Sequence, residues 1–128
     1  MDLAQIKVTA NEGEWLPIYM PDNATVILHF FMVGRDSNEC KEAGKIATAN
    51  IRKSKGNMKP EQIEADNKLV VAACIKSWRG AKDGDPVIYA GEELDCTKDN
   101  KLMLFDKLPF VYRQADSYII EDENFFKV

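Results

Sequence analysis

"LVVAACIKSWRG", Leu69–Gly80, is the stretch whose reading decides the fold. Its first half, Leu69–Ile75, is apolar at every position and shows neither a helical nor a strand period. The flanks favour a helix. Pro60 suits a first helical position, where its missing N–H is no loss. Met58 and Ile63 have the spacing of a hydrophobic staple. Glu61 and Glu64 suit the positive end of the helix dipole, and Lys76 and Arg79 the negative end. Gly80 offers a left-handed stop. These signals predict one helix over 60–79, buried on several sides because it has no polar face. Val70, Cys74 and Trp78 are then core residues.

Upstream, the break "KGNMKP" (Lys55–Pro60) separates this helix from another over about 37–54. Asp36 and Glu39 form a capping box at its start. Its apolar stripe consists of small residues: Cys40, Ala43, Gly44, Ala47 and Ile51. Gly44 costs about 1 kcal/mol relative to Ala in a helix interior, so close approach of a neighbouring backbone is expected there.

The first third reads as β. "EWLPIY" (Glu14–Tyr19) carries Pro17, which confines it to an edge or a bulge. "MPDNA" (Met20–Ala24) is turn chemistry, and "TVILHFFMVG" (Thr25–Gly34) is rich in β-branched and aromatic residues. A hairpin over about 14–34 follows, with Ile6–Thr9 as a possible third strand. Alternate residues of its second strand face opposite ways, and both faces are apolar. Either helices cover both, or Ile27, Phe31 and Val33 form an interface with another chain.

Downstream, "AKDGDP" (Ala81–Pro86) is a loop. Thr97 caps a helix over about 98–106. Pro109 opens a last helix, over 109–118, in which Val111, Gln114, Ala115 and Tyr118 follow helical spacing. The apolar end leaves Ile119, Ile120, Phe125 and Phe126 to dock on the chain itself or on a partner. The fold class is α+β: a mainly helical small domain, 1–128, with an N-terminal hairpin packed on about four helices.

Composition narrows the function. The chain has 128 residues and net charge −4, with 45% hydrophobic residues. Nucleic-acid binders usually carry a basic excess. The basic group Arg52, Lys53, Lys55 and Lys59 instead answers a helix C-terminus. Cys40, Cys74 and Cys96 are odd in number and have no CxxC pair, and no secretory leader is recognised, so free thiols in a reducing cytosol are expected. Val26–Val33 is far too short to span a membrane.

Reactive motifs are absent. A nucleophilic cysteine needs a helix N-terminus, a cation or a histidine to lower its pKa, and Cys74 sits at the wrong end of the predicted helix. Cys40 and Cys96 lie nearer helix starts but have no histidine at short range. His29, the sole histidine, reads as a strand residue with satisfied hydrogen bonds. Asp83–Asp85 is a turn rather than a calcium loop, because Pro86 follows directly. No phosphate-binding or nucleophile-elbow motif appears. The expectation is a chain without enzymatic activity, catalytic residues, metal or cofactor. A ligand pocket lined by Cys74, Trp78 and His29 is the enzymatic or carrier alternative.

Four blocks taken in order carry a resemblance. They are "EWLPI" (Glu14–Ile18), "TVILHFFMVGRDS" (Thr25–Ser37), "EADNKLVVAACIKSWRG" (Glu64–Gly80) and "DCTKDNKLMLFDKLPFVYRQADSYIIEDENFF" (Asp95–Phe126). The chain, from about Glu14 onward, resembles the tail assembly chaperones of long-tailed phages, of the lambda-like siphophage type. The resemblance implies a mainly helical domain with an N-terminal hairpin that self-associates. It implies binding to the tape measure protein, which such chaperones keep soluble until the tail tube assembles. It also implies a frameshift-extended form that recruits the tail tube protein, action in the host cytoplasm, and absence from the mature virion. A tail structural subunit is the nearest alternative. The family offers no site motif to transfer, so Ile27, Phe31, Val33, Ile119, Ile120, Phe125 and Phe126 stand as interaction residues on their apolar pattern alone.

Overall fold

The computed structural model describes residues 1–55, 57–121 and 124–127. Gly56, in the expected break between helices, and residues 122, 123 and 128 of the apolar C-terminal stretch lie outside the described residues. Among those described, four α-helices pack with a three-stranded antiparallel sheet, an α+β arrangement. The helices are α1 (Asn38–Ser54), α2 (Pro60–Cys74), α3 (Lys98–Lys107) and α4 (Pro109–Ile120). The strands in chain order are β1 (Lys7–Val8), β2 (Glu14–Tyr19), β3 (Val26–Met32), β4 (Ile75–Gly80), β5 (Ile88–Tyr89), β6 (Glu92–Glu93) and β7 (Phe126–Lys127).

The hairpin β2–β3 forms because its turn is held by one carboxylate. Asp22 accepts hydrogen bonds from Ala24 N at 2.8 Å, Thr25 N at 2.9 Å and Thr25 Oγ1 at 2.8 Å. Those bonds hold its pKa below the usual carboxylate value. Asn23, at φ 58°, takes the left-handed turn position that asparagine tolerates.

The stretch read as one helix is two elements. Helix α2 stops at Cys74, and Ile75–Gly80 is strand β4, paired with β3. The all-apolar Leu69–Cys74 stays helical, and the strand takes Ile75 with the polar Lys76, Ser77 and Arg79. The unpaired backbone edge of β3 supplies what a further helical turn could not: partners for the strand's N–H and C=O groups, and a seat for Trp78 opposite Phe30. Those two rings stack at 6.1 Å. Trp78 Nε1 donates to Leu94 O at 2.9 Å. Lys76 pairs with Glu39 at 3.3 Å rather than answering a dipole. Gly80 is not a left-handed stop. It lies opposite Leu28, where an added Cβ would stand 2.7 Å from Pro86 O. The third strand of the sheet is therefore β4. The N-terminal strand, β1, pairs instead with β7, Val8 opposite Phe126.

Two details of α1 also differ from expectation. Its N-cap is Ser37, whose buried Oγ accepts from Cys40 N at 3.2 Å; Asp36 is one residue too early. Gly44 has open space where a Cβ would sit, so no backbone approaches it. Thr97 does cap α3, accepting from Asn100 N at 3.2 Å.

Helices α2 and α4 meet the sheet, and α3 packs on both of them. Phe30, Met32, Ile18, Ile75, Val71, Phe105 and Val111 are fully buried in one cluster. Each such side chain contributes about 1.5–3 kcal/mol by leaving water. Helix α1 lies outside this layer and packs on α2.

Candidate functional site

Strand β3 alternates as its sequence requires. Leu28, Phe30 and Met32 point inward and are buried, whereas Ile27, His29 and Phe31 are half-buried on the other side. Helices cover the inner face; on the outer face Phe31 lies against Gly13, and Ile27 packs against the core cluster. Trp15 and Phe31 meet there at 5.2 Å, and Arg79 stacks over the Trp15 ring at 4.3 Å. Arg79 Nη1 pairs with Asp83 at 3.0 Å, and its Nε is buried with no hydrogen-bond partner among the described residues. His29 Nδ1 lies 3.1 Å from Gly80 O, so the imidazole is satisfied by backbone.

Val33 does not join this face. The β3–β4 register shifts between Phe31 and Met32, and Val33 N donates to Cys74 O at 2.9 Å. The extra residue of that shift is Lys76 on β4, so β3 keeps its alternation to its end at Met32; Val33 lies beyond the strand and is fully buried. The C-terminal candidates divide in the same manner. Ile119 is buried among the core residues, and Phe125 is buried edge-on against Tyr118 at 5.3 Å and close to Gly34. These three residues face their own chain and offer no free surface. Ile120 and Phe126 remain exposed, and Ile27 and Phe31 partly so.

Among the three thiols, Cys74 is fully buried near the buried Cys40, and its Sγ donates to Gly34 O at 3.9 Å. The neighbouring Cys40 thiol and burial push the Cys74 thiol far above its ordinary pKa. Burial raises Cys96 as well. Trp78 packs half-buried against the core, as does Val70. Cys74 lies on the inner side of the sheet and His29 on the outer side, so the two do not line a common pocket. Among the described residues no group of three His, Cys, Asp or Glu could hold a metal ion. No helix among them is long and apolar enough to cross a membrane.

Sequence reading missed a second apolar surface. A groove of about 410 Å³ opens between α1, α2 and the start of α3. Its floor is Ala43, Ala47, Leu69 and Ala73, with Ile46 at the lip. Glu39 and Glu42 stand on the α1 wall, and Lys98 and Lys101 on the α3 wall. Lys101 Nζ donates to Ala72 O at 3.1 Å. The available signal was the small-residue stripe of α1: alanines leave space that larger side chains would fill.

No protein-family model, curated protein or solved structure matches this chain.

Proposed function

We propose that the chain is a phage tail assembly chaperone that binds the tape measure protein and keeps it soluble until tail tube subunits assemble around it. On this reading it has no enzymatic role, acts in the host cytoplasm, and is released before the virion matures. A frameshift-extended form, where made, recruits the tube protein. The sequence resemblance motivates the reading. The observation that carries it is the outer face of the sheet, where Trp15 stands exposed beside the half-buried Phe31. A chaperone for a long apolar helical client needs such surface in many weak copies, so that avidity holds the client while each contact stays easy to displace.

The test is co-expression with the tape measure protein. The parent chain is expected to move the client into the soluble fraction. Trp15→Ser, at a half-exposed position, is expected to do so poorly while remaining folded. An insoluble client beside abundant parent chain would refute the assignment. Recovery of the chain in purified virions would point to a tail subunit instead.

A further inference from the structure

Six of the 17 basic side chains fall within 41–59 beside a single acid, Glu42, although the whole chain carries a net charge of −4. Arg52 and Lys53 answer the helix dipole in the last turn of α1. Lys41 and Lys45 do not. They stand in the first half of the helix, toward the end where the dipole disfavours a cation. Spacings of four, three and four put Lys41, Lys45, Thr48 and Arg52 on one line of α1, and all four are exposed. Lys41 and Arg52 have no ion pair among the described residues. Lys45 has only a loose one, 3.7 Å from Glu42, with both side chains mostly exposed. The line borders a shallow hollow of about 650 Å³ that also takes in Gly44 and Ala49. A Cβ at Gly44 would meet nothing within 4 Å, so no packing inside the chain explains a residue that weakens a helix.

We infer that the solvent face of α1 docks an acidic helical segment of a partner protein. Carboxylates repeating at the same spacing pair with Lys41, Lys45 and Arg52, and the missing side chain at Gly44 lets the two backbones approach. From Lys41 to Arg52 is about 16 Å along the axis, so a partner segment of three to four turns covers the line. Nucleic acid fits this face less well. Residues 32–77 contain no Phe, Tyr or Trp, so α1 and α2 offer no ring on which a base could stack. The rest of the chain carries the acid excess, which repels a long phosphate backbone wherever it runs past the patch. A short acidic segment ends before it meets that repulsion. The docking face lies outside the sheet, and the inference does not rest on the chaperone reading.

Binding is read by fluorescence anisotropy of two labelled peptides titrated with the full chain, with circular dichroism as the check on folding. One peptide is an alanine–glutamine helix of about four turns whose glutamates repeat at spacings of four, three and four, a line that matches in either direction. The other has the same composition with its glutamates spread around the helix. The first is expected to bind roughly tenfold tighter or more, and to weaken as salt rises from about 50 to 200 mM. An exposed ion pair contributes up to about fivefold. Reversing two cations, Lys41→Glu with Arg52→Glu, should therefore cost roughly tenfold or more. Lys82→Glu with Lys107→Glu changes the net charge equally but outside α1, and should bind like the parent. Gly44→Gln fills the hollow with a good helix former and no charge. It should stay folded and weaken binding about threefold or more, and it carries the test if the double reversal fails to fold. No binding of the patterned peptide, equal affinity for both peptides, equal loss from the distant pair, or full binding by Gly44→Gln would each overturn the docking face. A DNA duplex that bound more tightly than the patterned peptide and displaced it would overturn it too, by making the face a phosphate-backbone surface.

Discussion

Gln114 closes the edge of the sheet with a single side chain, and replacing it should loosen the hairpin from the helices. Tyr19 N donates to Gln114 Oε1 at 2.8 Å, and Gln114 Nε2 donates to Tyr19 O at 2.7 Å. The amide thus imitates a neighbouring strand for one residue of β2, across 95 positions of chain. A net hydrogen bond contributes about 0.5–1.5 kcal/mol. Both bonds are part-buried, so Gln114→Ala should cost about 1–3 kcal/mol. Gln114→Leu, which keeps bulk but no polar atoms, should cost a similar amount. In urea, with a slope of about 1–3 kcal/mol/M, the midpoint followed by circular dichroism should fall by about 1 M. Gln114→Glu gives the sharper test. Its carboxylate still accepts from Tyr19 N but repels Tyr19 O, whereas the protonated acid restores the missing donor. The folded state then favours the protonated form and raises that pKa above the unfolded value of about 4.3. The stability so gained is present below that value and is lost as pH rises through the folded pKa. Midpoints for Gln114→Ala and Gln114→Leu within about 0.5 kcal/mol of the parent would refute the clamp, since that is the scatter of ordinary surface substitutions.

Gly44→Ala should raise the thermal midpoint, with about 0.5–1 kcal/mol gained, because the site is open and helical; Gly34→Ala should lower it by about 1–3 kcal/mol, because its Cβ would stand 2.7 Å from the buried Phe125 ring. Equal shifts for the two would contradict the packing described. Alkylation of the native chain should modify the part-exposed Cys96 before the buried Cys40 and Cys74; mass-mapped labelling of Cys74 at the rate of an unfolded control would contradict its burial. Tyr118 is pushed up to about 12 by burial and by its hydrogen bond to Glu14 at 3.0 Å. Its stabilising effect is therefore complete below the unfolded value of about 10 and is lost as pH rises toward 12. Urea midpoints taken across that window should fall less steeply for Tyr118→Phe than for the parent, and parallel slopes would show that Tyr118 does not contribute.

The elements that could be read from sequence are those fixed by local chemistry. The Asp22 turn, the Thr97 cap and Pro109 at the head of α4 each specify their backbone within a few residues. Strand β4 could not be read in this way, because Lys76, Arg79 and Gly80 suit a helix C-terminus as well as they suit this strand. Its conformation is decided by β3, more than forty positions earlier. Val33 failed for a related reason. Alternation placed it beside Phe31, but the strand ends at Met32 and Val33, just beyond it, is buried in the core. Gln114 was legible only as a member of a helical face; its partner, Tyr19, lies at the opposite end of the chain.

The same distant pairing decides the candidate surfaces. With 75–80 helical, Arg79 would have answered a helix end in solvent. As part of β4 it lies opposite His29 and reaches Trp15 on the outer face, so that face is apolar but carries one cation whose Nε is buried without a partner among the described residues. Ending α2 at Cys74 also leaves α1 resting on α2 beyond the sheet, where the start of α3 can close the third wall of the groove. The groove thus belongs to the helical layer and the aromatic face to the far side of the sheet.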